Sequence, residues 1–598
     1  MILLKAKLRE YAGILKSDGL VLLISSFLFI SSVRLIFERT MFYNPFFLEQ
    51  SSLFDVLIFL VPSWLVLVLI RTALDRRFTL VLLMGSSVLF AVVFINEAAF
   101  NSFLNFGVAA ILFYISYYVF KGGEFASSAH AKISDRHALI LLFTSTILVG
   151  AFLSITTVLR HRSFMSFNFD FGIFAQMYHY MAETGEALVT SERDKLLSHF
   201  AVHISPIYYV FLPVYMLFRS PDTLLVIQGF AIASAAIPVY FICKNRGFEN
   251  IYALAAAHVC LIYPPFFHGA YFDFHENVFL CAIILWLIYF YEKHQIVPIV
   301  VFTILTLSVK EDAALYVLFL SAYFMFSKIK KIRVTAIISF VSALAYFVVC
   351  MKILEHLGTG PMVTRFNNYM TTGDEGFYSV IENILYNPAH FVNQIFNSEK
   401  FAFVINMVLP LMFLPFFVRK PKHLLLIFPM LVINIMPNYT YQYRIGYQYV
   451  YGSGALLIYL FIINFSKIRQ SWRRQHIAFM CALMSLILVI AFSGKPVSNY
   501  IMSYINKRDD IEMTNACLQR IPEDAEVTAN TYLLPHLAER EILYMYPSKN
   551  DTEYLVLDIR HDNLGSKELN ALYRLGYELV DAGGYAQVYR KIAGIKKP

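Results

Sequence analysis

The sequence places isolated ionisable residues among long apolar and aromatic stretches. Asp170 is the lone carboxylate in SFNFDFGIFAQMYHY, residues 166–180, a segment otherwise rich in aromatic side chains. A charge beside a membrane is costly unless it is paired, hydrated or used in chemistry. A carboxylate in such a place could accept a proton from a hydroxyl group as a general base. The alternative is a carboxylate that only caps or turns a loop.

Two further segments carry ionisable groups between apolar runs. Asp273 and His275 lie two positions apart in YFDFHE, and such a pair could contribute to a metal site or lie in a hydrated turn. Lys310, Glu311 and Asp312 are three consecutive ionisable residues. Charges at membrane depth usually face a bundle interior or an aqueous cavity, so this triplet is predicted to be functional or to line a cavity.

Cations and histidines that could bind phosphate or metal occur elsewhere in the chain. Arg444, in NYTYQYRIGYQY, could bind phosphate with its planar guanidinium group, and Lys310 could do so as a point charge. His199 and His203 lie four apart and would share one face of a helix. That spacing occurs in zinc sites, but the HExxH motif is absent, and histidines at the membrane interface are the alternative interpretation.

The composition shows which class of protein carries these residues. The 598 residues are 58% hydrophobic and 15% charged, with a mean hydropathy of +0.59. Apolar runs long enough to cross a bilayer recur along the chain, which excludes a soluble protein and predicts a polytopic α-helical membrane protein. No basic run interleaved with exposed aromatics suggests nucleic acid as a partner. The six cysteines form neither a CxxC site nor a disulfide framework.

About fifteen membrane spans are predicted, together with one short apolar segment that does not cross. The segment at 204–218 is interrupted by Pro206 and Pro213 and is predicted to be re-entrant or juxtamembrane. The spans are expected near 19–37, 53–70, 78–96, 100–119, 137–159, 222–243, 251–267, 277–291, 296–309, 312–327, 334–354, 401–418, 423–437, 448–465 and 476–493.

The distribution of lysine and arginine predicts the orientation. Dense basic clusters occupy every second loop, which predicts a cytoplasmic N-terminus in a plasma or inner membrane. These clusters lie at 75–77, 244–246, 292–294, 328–333, 419–422 and 466–474. The other, extracytoplasmic side then carries two large loops, 160–203 and 355–400. We predict a four-span extension at 1–136, a transmembrane core at 137–494 and a small extracytoplasmic α/β domain at 495–598, in which VTAN, YLVLDI and AQVYR are strands.

The order of these motifs resembles the domain-of-unknown-function 2079 family of predicted membrane proteins. FDFGIFAQ is followed by His199-Phe200, by DFH at 273–275, by KED at 310–312 and by Pro535-His536 in the tail. The resemblance covers roughly 137–598, and four additional spans precede it. The family is similar in layout to the GT-C membrane glycosyltransferases, so the resemblance implies a GT-C-like all-α bundle.

The resemblance also implies a reaction. GT-C enzymes transfer a sugar from a polyprenyl-phosphate donor, here to a glycan, lipid or protein acceptor at the extracytoplasmic face. A carboxylate in their first outer loop is the catalytic base or positions the acceptor, and Asp170 holds the matching position. It is flanked by Phe169 and Phe171 rather than by a second carboxylate. A divalent metal could join lysine or arginine in stabilising the departing phosphate. The residues predicted to bind substrate are Gln176, His199, Asp273, His275, Lys310, Glu311, Asp312, Arg444 and His536.

Two other classes of function remain open at this point. One is a transporter or lipid-handling protein whose 310–312 triplet lines a pathway, and the other is a non-catalytic scaffold with a GT-C-like fold. Many transporters are built from repeated halves, and no internal repeat is evident in this sequence. The polar groups are instead predicted to gather at one membrane surface, which favours surface chemistry.

Overall fold

The computed structural model describes residues 2–37, 53–97, 101–121, 133–358, 363–370, 377–549, 551–561 and 565–592. Within these ranges, ten helical stretches are long and apolar enough to cross a membrane. Three shorter apolar helices, Tyr208–Leu217, Ile296–Val309 and Ala313–Met325, lie among them. The predicted fold class, a polytopic α-helical bundle followed by a small region that contains strands, is therefore confirmed.

The N-terminal part consists of apolar helices that bury several small polar side chains. Within their apolar sequences, serine hydroxyls donate to the carbonyl one turn earlier, as Ser25 does to Val21 at 2.8 Å. Asp18, in the turn between the first two helices, accepts a hydrogen bond at 2.9 Å from Arg71 of the third. These helices are Ile2–Ser17, Gly19–Phe37, Leu53–Ala73, Arg76–Glu97 and Ser102–Lys121.

The central bundle begins with the helix Asp135–Arg162, which packs closely against Pro221–Ser234. A Cβ atom at Gly229 would lie 2.4 Å from the hydroxyl of Ser154, so this close approach of two helices requires glycine. The remaining helices of the bundle are Ile173–Thr184, Tyr208–Leu217, Ala236–Asn245, Asn250–Leu261, Pro264–Gly269, Phe279–Lys293, Ile296–Val309, Ala313–Met325, Lys330–Leu357, Phe377–Tyr386, Pro388–Ile395, Ser398–Val408, Tyr451–Phe465 and Ser471–Asn506.

The chain between residues 401 and 437 differs from the two predicted spans. After the helix Ser398–Val408 come only short turns, Leu409–Leu411, Leu414–Phe416, Pro421–Leu426 and Met430–Ile435. The physical reason is the run of prolines at 410, 415, 421 and 429, because proline lacks the amide hydrogen that a continuous helix needs. Side chains satisfy the freed backbone groups, since Asn464 donates to the carbonyl of Leu414 at 2.9 Å.

The segment predicted to be re-entrant or juxtamembrane forms the helix Tyr208–Leu217, of 10 residues. A helix of that length extends only about 15 Å, half the thickness of the hydrocarbon core. Its start is held by the amide of Ile207, which donates to the carbonyl of Ser308 at 2.8 Å. The helix therefore stays at one end of the bundle, beside the turn that contains Lys310.

The C-terminal region folds around a five-stranded mixed sheet formed by β3 (Val527–Ala529), β4 (Leu543–Met545), β5 (Tyr554–Asp558), β6 (Tyr577–Gly583) and β7 (Ala586–Lys591). The strand order is β4-β3-β5-β7-β6. Strands β4, β3 and β5 are parallel, and β7 pairs with β5 and β6 in the antiparallel sense. The strands predicted in VTAN, YLVLDI and AQVYR are confirmed as β3, β5 and β7. The helices of this region are Arg508–Leu518 and Ser566–Arg574.

Two short strands and several polar contacts attach this region to the bundle. Strands β1 (Leu188–Val189) and β2 (Leu197–Ser198) form an antiparallel ribbon in the loop that follows the helix Ile173–Thr184. Arg560 donates to the carbonyl of Phe164 at 2.9 Å, and the amide of Asn168 donates to the hydroxyl of Thr531 at 3.1 Å. The sheet thus lies at the end of the bundle that carries Asp170.

Candidate functional site

A cavity of about 600 Å³ lies where several loops converge at this end of the bundle. Its walls combine aromatic rings with ionisable groups, which is typical of small-molecule sites. They are formed by Phe167, Phe169, Asp170, Ile173, Phe174, Glu192, Arg193, His199, Val202, His203, Phe272, His275, Arg365, Tyr439, Tyr441, Tyr447, Gln448 and Tyr449.

Asp170 occupies a kinked turn, Asn168–Gly172, just before the helix Ile173–Thr184. The turn is anchored by the buried side chain of Asn168, which donates to the carbonyl of Ser191 at 2.9 Å. Gly172 is required here, since a Cβ atom at that position would lie 2.7 Å from Oδ1 of Asn168. The side chain of Asp170 keeps 28% of its surface exposed. The carboxylate is therefore fixed in the wall and open to the cavity.

His275 lies directly beside this carboxylate. Its Nε2 is 3.7 Å from Oδ2 of Asp170, and its Nδ1 is 2.9 Å from Oε2 of Glu276. The backbone amide of His275 donates to Oε1 of Gln228 at 3.1 Å, which fixes the loop. The imidazole thus lies between the partly exposed carboxylate of Asp170 and the buried carboxylate of Glu276.

Glu276 is the centre of a buried group of charges behind the cavity. Lys310 places its Nζ 2.8 Å from Oε1 of Glu276, and the hydroxyl of Tyr208 donates to Oε2 at 2.8 Å. Burial alone would raise the pKa of Glu276, but the charges of His275 and Lys310 hold it well below its usual range. Glu276 is therefore ionised, and Lys310 serves as its counter-ion rather than as a cavity group.

The two histidines spaced four apart each contact a different carboxylate. Nδ1 of His199 lies 3.0 Å from Glu192, and Nδ1 of His203 lies 2.9 Å from Glu311. Glu311 also accepts the backbone amide of Ile204 at 2.9 Å. Burial alone would lower the pKa of His199, but the charge and hydrogen bond of Glu192 raise it. Both histidines line the cavity as partners of carboxylates.

These histidine–carboxylate pairs do not assemble a metal site. Nowhere in the described ranges do three His, Cys, Asp or Glu side chains come together in a way that could hold a metal ion. Around the cavity, His199 and His275 each contact a single buried carboxylate, Glu192 and Glu276. The side chains present in the described ranges therefore do not fit the divalent metal that the sequence left open.

Arg365, one of two cations that line the cavity, comes from a loop without a recognised motif. Arg365 lies in the short helical turn Val363–Tyr369, and its guanidinium carbon is 4.6 Å from the ring centre of Tyr439 and 5.5 Å from that of Tyr449. Burial raises the pKa of Tyr439 to about 12, so this ring remains neutral beside the guanidinium. Arg193 is a second, exposed cation in the wall. Arg444 is exposed and lies outside the lining.

Asp273 lies behind the wall rather than in it. It is buried and forms an ion pair with Arg160, which also donates to the carbonyl of Phe272 at 3.1 Å. Burial raises the pKa of Asp273 to about 6, against the opposing charge of Arg160. The pair ties the end of the helix Asp135–Arg162 to the loop that carries His275.

Gln176 and His536 connect the C-terminal region to the bundle. The amide oxygen of Gln176 accepts the amides of Thr190 and Ser191 at 3.0 Å each, and its nitrogen donates to the carbonyls of Arg540 and Glu541 at 3.1 Å. The imidazole of His536 stacks on the rings of His161 and Phe164, with centroids 4.1 and 3.9 Å apart. Burial lowers the pKa of His536 to about 3. Neither residue reaches the cavity.

The structure thus sorts the predicted site residues into four locations. Asp170, His199 and His275 meet at the cavity; Asp273, Lys310, Glu311 and Asp312 lie in the layer behind it; Gln176 and His536 lie at the junction with the C-terminal region; and Arg444 lies on the surface. The sequence named His203 only as a partner of His199 on one helix face, and the residues it missed were Glu192, Glu276 and Arg365. Glu276 directly follows His275 in YFDFHE, so its place in that motif could have identified it. Arg365 lies in no motif that would have identified it.

Comparisons with known proteins concern the family and the fold. The family model described as "Predicted membrane protein (DUF2079)" matches residues 160–573, more than half of the chain. No curated protein matches the sequence. The structure is similar to ArnT from Cupriavidus metallidurans bound to undecaprenyl phosphate, with 12% identity and a TM-score of 0.47 over 78% of this chain and 100% of that one. The apo state of ArnT gives 13% identity and a TM-score of 0.44 over 75% of this chain and 99% of that one.

Proposed function

The chain belongs to the DUF2079 family of predicted membrane proteins, and we propose that it is a membrane glycosyltransferase. In this proposal it transfers a sugar from a polyprenyl-phosphate donor to an acceptor hydroxyl at the extracytoplasmic face. The observation that carries the proposal is the Asp170 carboxylate, which opens into a 600 Å³ cavity walled by aromatic rings and by the guanidinium of Arg365. A base and a phosphate-binding cation thus share one cavity.

Asp170 acts as the general base. As the acceptor oxygen attacks the anomeric carbon, the carboxylate takes the proton of the acceptor hydroxyl. A new carbon–oxygen bond forms, the bond from the anomeric carbon to the phosphate oxygen breaks, and its electron pair leaves with the polyprenyl phosphate. The transfer inverts the anomeric centre, because Asp170 takes the proton of the acceptor and does not itself attack the sugar. His275, 3.7 Å away, positions Asp170 and is itself held by Glu276.

Arg365 stabilises the departing phosphate. A planar guanidinium group binds two phosphate oxygens at once and stays charged at any physiological pH. Its stacking on Tyr439 and Tyr449 fixes the orientation of the plane before the donor arrives. Such pre-organised charge stabilises a transition state most when little has to move during the reaction. Arg193 supplies a second positive charge at the exposed edge of the cavity.

The size and the walls of the cavity suit a sugar. Its volume lies in the range of about 300–1,000 Å³ that is usual for small-molecule sites. Four tyrosines of the 439–449 segment and two rings of the 167–169 segment supply flat apolar faces, and their neighbours supply the polar groups that orient a ligand. The lipid tail of the donor would remain in the bilayer, because the cavity opens at one end of the membrane bundle.

The proposal is tested by mass spectrometry of lipid-linked sugars and surface glycans. Cells that produce the wild-type chain, Asp170→Asn or Glu186→Gln are compared with cells that lack the protein. Glu186 is an exposed carboxylate of the same loop and does not line the cavity, so it is the matched control. We expect one glycan to depend on the wild type and on Glu186→Gln but not on Asp170→Asn. Identical profiles in all four cultures would overturn the proposal.

A further inference from the structure

A second cavity, of about 560 Å³, lies at the opposite end of the bundle. It lies where the helix Ser102–Lys121 meets the start of the helix Ser471–Asn506. The stretch from His476, in this cavity, to Tyr500, which packs on Arg160 near the Asp170 site, is roughly 36 Å long at 1.5 Å per residue. Because the hydrocarbon core is about 30 Å thick, the two cavities open at opposite membrane surfaces.

The cavity concentrates positive charge. Four cations line it, and no carboxylate is among its lining residues: the cations are Arg419, Lys467, Arg469 and Arg473. In the part of the chain that the structure describes, no carboxylate forms an ion pair with any of them. Two other cations, Arg246 and Arg71, are by contrast paired with Glu292 and Asp18. The lining of this cavity therefore carries a net positive charge.

The start of a long helix adds to this positive field. The helix Ser471–Asn506 has 36 residues, and its capping residue Gln470, which lines the cavity, makes no side-chain hydrogen bond to the first turn. Helix N-termini attract anions because their backbone amides lack partners within the helix and carry partial positive charge. The arrangement of four cations around a helix start is thus complementary to an anion such as a phosphate group.

The apolar wall of the cavity continues into the bilayer. Phe113 and Tyr117 form this wall on the helix Ser102–Lys121, and Tyr117 packs edge-on against Trp472 at 5.4 Å. On the same helix, Ile111 and Tyr114 are 63% and 71% exposed, as expected of side chains that face lipid. A free phosphate ion would contact only the cations. A phospholipid would contact the cations with its phosphate group and the apolar wall with its acyl chains.

We propose that this cavity binds the phosphate headgroup of an anionic membrane phospholipid. Basic pockets between membrane helices at the cytoplasmic surface are suited to such headgroups. The bound lipid would join the N-terminal helices to the central bundle, since one wall belongs to the helix Ser102–Lys121 and the other to the helix Ser471–Asn506. This site is independent of the Asp170 cavity and of the reaction proposed there.

The test uses the purified full-length protein in detergent, titrated with phosphatidylglycerol, phosphatidylcholine or inorganic phosphate. Native mass spectrometry counts bound lipid, and thermal unfolding reports the Tm. The test variant combines Arg469→Gln with Arg473→Gln, and a second variant carries lysine at both positions. The matched control combines Lys330→Gln with Arg333→Gln, which removes two exposed cations from another basic loop.

We expect phosphatidylglycerol, but not phosphatidylcholine, to bind and to raise the Tm. The double glutamine variant should bind about 30-fold more weakly, since a cation near an anionic lipid contributes about 1 kcal/mol. The lysine variant and the control should bind nearly as the wild type does. Equal binding by the glutamine variant and the wild type would overturn the proposal. So would a Tm increase with inorganic phosphate alone, because it would indicate a site for a free ion.

Discussion

The carboxylate of Asp170 and the imidazole of His275 lie 3.7 Å apart, Oδ2 to Nε2, although the two residues belong to separate loops of the chain. Behind them, Glu276 contacts both His275 and Lys310, at 2.9 and 2.8 Å. Asp170 and His275 line the cavity, whereas Glu276 and Lys310 are buried behind it. The arrangement therefore presents an accessible carboxylate whose neighbouring imidazole is fixed by a buried carboxylate, as a positioned general base requires.

Arg365 should determine how well the departing phosphate is stabilised. Arg365→Gln removes the charge, and we expect the turnover rate to fall by about 100-fold or more, as when a group that stabilises transition-state charge is lost. Arg365→Lys should recover part of the rate, because it restores charge without the planar fork. The measurement is the rate of polyprenyl phosphate release in proteoliposomes. Arg444→Gln is the control, since Arg444 is exposed and lies outside the cavity. A larger loss with Arg444→Gln would contradict the assignment.

Glu276 should be essential for stability. Its replacement by glutamine removes the carboxylate that pairs with the buried ammonium group of Lys310, and breaking a buried pair in this way costs about 3–5 kcal/mol. We expect a clear decrease in the Tm of the detergent-purified protein. Glu553→Gln is the control, because its pair with Arg590 is exposed and such pairs contribute at most about 1 kcal/mol.

A double-mutant cycle separates the ion pair from other effects at Glu276. Adding Lys310→Met to Glu276→Gln removes the cation that the single substitution leaves unpaired. The destabilisation of the double variant should therefore be much smaller than the sum of those measured for Glu276→Gln and Lys310→Met alone. Additive losses would show that Glu276 and Lys310 act independently, in conflict with their 2.8 Å contact.

The His199–Glu192 pair should make stability depend on pH. The pKa of His199 is raised above 6.5, since Glu192 outweighs the effect of burial, and the pKa of Glu192 is lowered below 4.5, since His199 outweighs burial there. The stability that His199 contributes is fully present below pH 6.5 and is lost as the pH rises through the raised pKa of the imidazole. The stability that Glu192 contributes is present above pH 4.5 and is lost as the pH falls through the lowered pKa of the carboxyl group.

The measurement is the difference in Tm between the wild type and Glu192→Gln as a function of pH. We expect this difference to be largest between pH 4.5 and 6.5 and to decrease towards alkaline pH. Other titrating groups are common to both proteins and cancel in the difference. A difference that stays constant from acid to alkaline pH would contradict the pairing of these two side chains.

The membrane orientation can be tested with single cysteines. All six native cysteines are buried, so they should react slowly with an impermeant thiol reagent. Ser548 is exposed in the C-terminal region, and Lys328 is exposed in a basic loop. Ser548→Cys should be labelled in intact cells and Lys328→Cys only after permeabilisation. The reverse pattern would place the Asp170 cavity on the cytoplasmic side.

The helical class and the position of Asp170 could be predicted from sequence because each depends on local information. Hydropathy alone indicates helices that cross a membrane, and the motif order located Asp170, His199 and His275, which do meet at one cavity. The breaks between residues 401 and 437 were visible as prolines but were outweighed by the apolar composition of that segment. A hydropathy scale measures only how apolar a residue is, so it does not reveal that proline lacks the backbone N–H donor that a helix needs.

The remaining site residues depend on which side of a loop faces the cavity. Tyr441 and Tyr447 line it, whereas Arg444 between them is exposed, and the sequence offers no periodicity that would separate them. Arg365 reaches the cavity only because its loop folds over the 439–449 segment, through contacts with Tyr439. Such long-range placement cannot be derived from the spacing of residues along one chain.

The most direct test of the account compares Asp170→Asn with Glu186→Gln as purified proteins in proteoliposomes. The vesicles are supplied with the pool of lipid-linked sugars extracted from the native membrane, and release of free polyprenyl phosphate is followed by mass spectrometry. We expect release by the wild type and by Glu186→Gln, and a decrease of about 100- to 10,000-fold with Asp170→Asn, the range lost with a general base. Release by Asp170→Asn at the wild-type rate, with an unchanged Tm, would contradict the role of Asp170 as the base.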